Sequence, residues 1–275
     1  MKYFILITPF LLLSGCADKP VKQIPVSAWG GTYIFNYSQS ATPTPYENLD
    51  KAASKTTIVV TNPTYREDDS DLSIPDYSKV GRGLSTSMGM DMNKILLSKG
   101  LKTSGPFLSH DDMTLTDLNN ASLTLAPKVV LNIRIFYLNS NGSIESSPGP
   151  SSSSNSEIQP RGKHSRRSSS SSSHTTGGNR QFMLKVSGYV SFVIKDPLSE
   201  KKLWIKKIDL DEMVVSGQEV RSKNSLDYDG KPDALADAIK QMYPTIMDYF
   251  VKNTDPHEIL ALIKQTKKSR KKKNE

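Results

Sequence analysis

Residues 139–180 place the tightest constraint on this chain, because they cannot belong to any core. The stretch NSNGSIESSPGPSSSSNSEIQPRGKHSRRSSSSSSHTTGGNR has Ile144 and Ile158 as its only aliphatic side chains. So little apolar surface cannot offset the entropy of ordering a segment, and it reads as disordered. It is nevertheless flanked by the most strand-like segments present, KVVLNIRIFYL (128–138) and QFMLKVSGYVSFVIKD (181–196). Branched and aromatic residues dominate both, and the second alternates Phe182, Leu184, Val186, then Val190, Phe192 and Ile194. The fold must therefore carry a long polar surface insertion between paired strands of one sheet.

The remaining segments supply that sheet with partners. Tyr33, Phe35 and Tyr37 alternate with Thr32, Ile34 and Asn36, which predicts a strand buried on at least one face. KTTIVVTNP predicts a second strand ending at Asn62-Pro63. Between Lys79 and Lys99, Leu84, Met88, Met92, Ile95 and Leu96 hold helical period, and Gly100 supplies a stop. LKTSGPF reads as a short strand, and Ser109 with the acids after it as the start of a short helix. Asp196-Pro197-Leu198-Ser199 forms a turn into EKKLWIKKIDL, where Leu203, Ile205 and Ile208 lead to Leu210 on the apolar face. Leu235, Ile239, Met242, Ile246 and Phe250 mark a helix capped at Asp233 and kinked at Pro244. A last helix, roughly 256–266, dissolves into a lysine tail. The order βαβ, then a β-meander, then a helix predicts an α/β fold with α+β character. Its mixed sheet would carry helices on a face. A single domain is expected over 29–254, followed by a tail over 255–275.

The N-terminus limits where such a domain can work. Met1-Lys2 precedes an apolar run, Tyr3 to Leu13, which ends in Leu13-Ser14-Gly15-Cys16. The run is too short to cross a bilayer as a helix and has the layout of a secretory signal over 1–15. Cys16, the only cysteine, stands where a bacterial lipobox places its diacylated residue. The lipid expected on it, N-acyl plus S-diacylglycerol, is the only covalent group the sequence calls for. Residues 16–28 then form a polar tether, and Ala17 rather than aspartate after the cysteine favours the outer membrane. Without a second cysteine, the fold must stand on its hydrophobic core.

Charge is concentrated at the other terminus. Lys264, Lys267, Lys268, Arg270, Lys271, Lys272 and Lys273 against Glu275 carry +6 of the formal +8, so the body is close to neutral. In an exported protein the partner for such a tail is anionic lipid, peptidoglycan or an acidic glycan rather than nucleic acid. The alternative is a solvated tail with no partner.

Residues with chemical potential are scattered. His110, His164, His174 and His257 have no metal-ligand spacing, and His110-Asp111-Asp112 reads better as a solvated loop than as a metal site. GRGLSTS (81–87) lacks the third glycine and the lysine of a phosphate loop, and no G-x-S-x-G occurs. The sequence therefore points to binding rather than catalysis. One cluster stands out: RGKHSRR places Arg161, Lys163, Arg166 and Arg167 on the insertion. Guanidinium forks grip carboxylates through paired hydrogen bonds, and sialic acids carry that carboxylate. The bland alternative is a charge cluster that keeps the serine loop soluble.

MGMDMNKILLSKGLKTSG (88–105), LAPKVVLNIRI (125–135), DPLSEKKLWIKKIDLDEM (196–213) and DALADAIKQMYPTIMDYFVKN (233–253) resemble the neuraminyllactose-binding haemagglutinin lipoproteins, the flagellar-sheath adhesins. The lipobox and lysine-rich end add to that resemblance. It implies an outer-membrane lipoprotein, at the cell surface or flagellar sheath, that binds sialylated glycans. The short basic run that follows the corresponding strand in that family maps onto Arg161, Lys163, Arg166 and Arg167. The competing expectation is a non-catalytic, periplasm-facing envelope scaffold that docks a protein partner or peptidoglycan.

Overall fold

The computed structural model describes residues 33–38, 56–68, 77–139, 142–144, 179–221 and 226–273. The strands are β1 (Thr57–Thr61), β2 (Thr64–Asp68), β3 (Lys102–Phe107), β4 (Ala121–Leu125), β5 (Lys128–Leu138), β6 (Asn179–Lys195), β7 (Lys202–Arg221) and β8 (Leu226–Asp229). The helices are α1 (Tyr77–Ser98), α2 (Leu115–Asn120), α3 (Lys231–Asn253) and α4 (Pro256–Lys273). Eight strands among the described residues make one mixed sheet with helices packed on it, the expected α/β architecture.

The sheet is easiest to follow as long strands broken in the middle. β1 and β2 are collinear across Asn62-Pro63, and β4 and β5 across Ala126-Pro127. β1 pairs β4 and β2 pairs β5, both parallel. Proline cannot donate to a ladder, so each break interrupts it. The two breaks lie side by side, and Thr64 N donates to Pro127 O at 3.0 Å across the seam. On the far side of β1 lies β3, also parallel, joined to β2 through α1 as a crossover. β6 runs antiparallel along both β5 and β4, and β7 pairs its other edge from Asn179–Val220 to Lys195–Lys202.

One face carries the core. Ile58, Val60, Val129, Leu131, Phe182, Leu184, Phe192 and Ile194 meet Leu84, Met88, Met92 and Ile95 of α1 and Leu235, Ile239, Ile246 and Phe250 of α3. On the opposite face, Val59, Met113 and Ala121 form a small second cluster with Phe107 at the end of β3 and Leu118 of α2. α2 starts at Thr114 rather than at Ser109. The Thr114 side chain accepts from Asp117 N, and Asp117 accepts from Thr114 N. Ser109 instead organises the preceding turn, accepting from Asp111 N at 3.2 Å.

α1 ends as the sequence predicts. Gly100 takes φ +81, and Leu101 N reaches Leu96 O at 3.1 Å. Just before it, the buried Lys99 donates to the Val251 and Thr254 carbonyls, 2.6 Å each, satisfying the last turn of α3 from a neighbouring helix. Pro244 lies inside α3, which remains one helix. Its N-cap is Gly230, so Asp233 is not the cap.

Residues 33–38 differ from the expectation of a strand. The alternation holds, with Tyr33 and Phe35 buried and Ile34 exposed, but among the described residues no strand pairs with them. The segment is a strap laid over α1 and α3. Phe35 N donates to Ser87 Oγ at 3.0 Å, and Tyr37 N donates to Asp91 Oδ2 at 3.3 Å. The Tyr33 hydroxyl donates to Asp233 at 3.0 Å and that of Tyr37 to Asp248, so the strap runs from the first turn of α3 toward its end. This explains GRGLSTS. A Cβ at Gly83 would sit 2.2 Å from the Tyr33 carbonyl oxygen, and one at Gly81 would sit 2.4 Å from the Tyr65 ring. The glycines admit neighbours to a helix and form no phosphate loop.

The β6–β7 hairpin corrects a second expectation. Trp204 is buried and Ile205 is 53% exposed, with Ile194 opposite Trp204. Trp204, Leu203, Ile208 and Leu210 therefore pack on the core, and Ile205 does not.

Candidate functional site

The fold has two poles. At one, β5 ends and β6 begins, so Leu138 and Gln181 pair directly and residues 139–178 leave from that edge. The first of them turn back: Asn139 N donates to Ser143 O, and Leu138 bridges Ile144. The end of β7, β8 and the start of α3 close the same pole. At the other pole lie the β6–β7 turn, the end of α3 and α4.

A buried polar cluster sits at the root of the insertion. Glu219 is 0% exposed on the core side of β7, and Lys231, at the start of α3, is 6% exposed. The Lys231 ammonium is paired with the Glu219 carboxylate and reaches Asp229 Oδ1 at 3.2 Å. The Tyr137 hydroxyl donates to Glu219 Oε1 at 3.0 Å. Arg180 lies on the Tyr137 ring, 3.7 Å from its centroid. Each residue comes from a different element: Tyr137 from β5, Arg180 from β6, Glu219 from β7 and Lys231 from α3.

The electrostatics follow from that enclosure. Burial pulls the Lys231 ammonium down, but the hydrogen bond to Glu219 and the charge of Asp229 outweigh it and hold the group above its usual value. Burial pushes the Tyr137 phenol up; Lys231 opposes the push, and the nearby Glu219 carboxylate adds to it. A charged pair of this kind, with its partners satisfied, fixes geometry rather than performing chemistry. Here it locks the exit and return of the insertion to β7 and α3.

The basic run expected to bind, Arg161, Lys163, Arg166 and Arg167, lies outside the described residues, as does Cys16. The C-terminal basic residues are partly placed. Lys267 and Lys268 are exposed on α4, and Lys271, Lys272 and Lys273 continue its backbone. Arg270 departs from the expectation of a loose tail. Its Nε donates to Asp196 Oδ2 at 3.3 Å, and Asp196 also accepts from Leu198 N and Ser199 N. α4 therefore continues to Lys273 instead of dissolving near 266. Among the described residues, no three His, Cys, Asp or Glu side chains are grouped to hold a metal ion, and no helix is long and apolar enough to cross a membrane.

The cluster at the root was not foreseen from sequence. A signal existed: Glu219 continues the inward row of Val215 and Gly217, a charge on an apolar face that requires a partner.

No family model matches the chain, and no curated protein matches it by sequence. Among solved structures, the chain is similar to a neuraminyllactose-binding hemagglutinin homolog from Helicobacter pylori. The similarity spans 86% of this chain and 99% of that one, with 15% identity and a TM-score of 0.50. At that identity the likeness is one of fold, and the resemblance read from the sequence stands at that level.

Proposed function

We propose that this chain is a lipid-anchored bacterial outer-membrane protein, adhesin-like and non-catalytic, that binds sialylated glycans through an arm. The observation that carries the reading is the joint at Tyr137, Arg180, Glu219 and Lys231. Four elements hold one another through buried polar contacts where a serine- and arginine-rich segment leaves the sheet. An expensive buried network at the base of a polar insertion supports a role in presenting that insertion. The name carried by the fold neighbour supports the same direction.

In this reading Arg161, Lys163, Arg166 and Arg167 supply guanidinium and ammonium donors to a sialic carboxylate, and ordering of the arm limits the affinity. Cys16 carries the acyl chains, and no other cofactor takes part.

Binding of sialyllactose and of asialo-lactose by the full chain tests the proposal. The four-residue alanine variant R161A/K163A/R166A/R167A is expected to lose the sialyl preference. Unchanged binding would remove the arm, and no sialyl binding by the parent would remove the adhesin reading. Protease shaving of intact cells separates a surface protein, which is cleaved, from the periplasm-facing scaffold, which survives.

A further inference from the structure

The pole opposite the insertion carries a second charged surface. α4 is two-sided: Ile259, Ile263 and Thr266 are buried against the body and Arg270 is paired with Asp196. Lys264, Lys267 and Lys268 are exposed. Lys271 and Lys272 follow in the helical backbone at the same three- and four-residue spacing. The Arg270–Asp196 ion pair, 3.3 Å from Nη2 to Oδ1, fixes the far end of this helix to the β6–β7 turn. Lys264, Lys267 and Lys268 thus share one exposed basic face, about 6 Å along the helix from Lys264 to Lys268.

Its position narrows what it can meet. The strap's first described residue, Tyr33, meets Asp233 in the first turn of α3, at the insertion pole. α4 begins beyond the other end of α3, a 23-residue helix that separates the poles by roughly 35 Å.

We propose that the outer face of α4 is a docking surface for a linear sulfated glycan. A repeating polyanion fits it, because the face presents exposed ammonium groups at successive turns of one helix. Lysine ammonium groups make no paired fork, so they suit a row of sulfates better than a single carboxylate. Lysine- and arginine-rich runs of this length are a recognised pattern for heparin-type patches. The surface is separate from the arm and adds a second ligand class to the protein.

Heparin is the probe, with the full chain carrying Cys16→Ser so that it cannot insert into lipid. Binding is expected to weaken as salt rises, and to fall at least about tenfold in K264E/K267E/K268E. A K264Q/K267Q/K268Q variant with unchanged melting temperature and reduced binding separates loss of charge from loss of fold. The arm variant R161A/K163A/R166A/R167A should keep heparin binding, while the α4 variants keep sialyllactose binding if the arm reading holds. Parent-like heparin binding by the glutamate variant overturns the proposal. So does equal, α4-dependent binding to phosphatidylglycerol vesicles, which would assign the surface to lipid.

Discussion

Lys231 and Glu219 form an ion pair with both side chains sealed from water, one opening α3 and the other near the end of β7. Removing one member leaves a buried charge without its counterpart. Glu219→Ala is expected to destabilise the fold by about 3–5 kcal/mol, whereas a Glu219→Leu/Lys231→Met double variant recovers most of that loss. Urea unfolding of the three chains measures the difference. The same pair sets an alkaline limit. The folded Lys231 group titrates above its ordinary 10.5. Its contribution is complete below that pH and is lost as pH rises through the higher folded value.

Gly83→Ala tests the strap by setting two effects against each other. Alanine in a helix interior gains about 1 kcal/mol over glycine. The new methyl group meets the Tyr33 carbonyl oxygen at 2.2 Å, and that oxygen belongs to backbone that cannot move without lifting the strap. The clash wins. Protease sensitivity near residues 33–38 is expected to rise while the helical circular dichroism signal stays or increases. Phe35→Ala, which vacates a core position beside Tyr243, should cost about 3–5 kcal/mol.

Asp196 gives an acid-side prediction. Burial pushes its carboxyl up, but Ser199 N, Arg270 and Leu198 N outweigh that and hold it below the ordinary 3.8. A lowered folded value gives stability that is complete above 3.8 and disappears as pH falls through the folded one. The melting temperature of Asp196→Asn should lie below that of the parent at pH 6. The gap should narrow as pH falls below 3.8 and close as pH passes through the lower folded value.

Cys16→Ser tests the anchor. In the native host the parent should take up radiolabelled palmitate and enter the detergent phase of Triton X-114. The variant should do neither. An unmodified parent would end the lipoprotein reading.

The helices and the meander were legible because helical and strand periods survive any tertiary context. Every apolar position read for α1 and α3 is buried. The strap was misread because alternating aromatics look the same whether the backbone pairs with a strand or with the side chains of Ser87 and Asp91, some fifty residues away. Ile205 was misread as inward because Leu203, Trp204 and Ile205 are all apolar, so parity there depends on register with β6 rather than on pattern. α4 outran its apolar signal since its last anchor is Arg270, whose partner lies in a distant turn. The root cluster needed a different question, namely what Glu219 does on an inward row. The basic run of the arm falls outside the described residues.

The strap also determines how the molecule responds to pulling. Its long direction follows α3, and its N-terminal end points out of the insertion pole. A pull on Tyr33 along that direction would therefore draw the strap lengthwise, so that Tyr33, Phe35 and Tyr37 resist together and are not peeled off one by one. Contacts loaded together in this shear geometry withstand pulling better than contacts unzipped in turn.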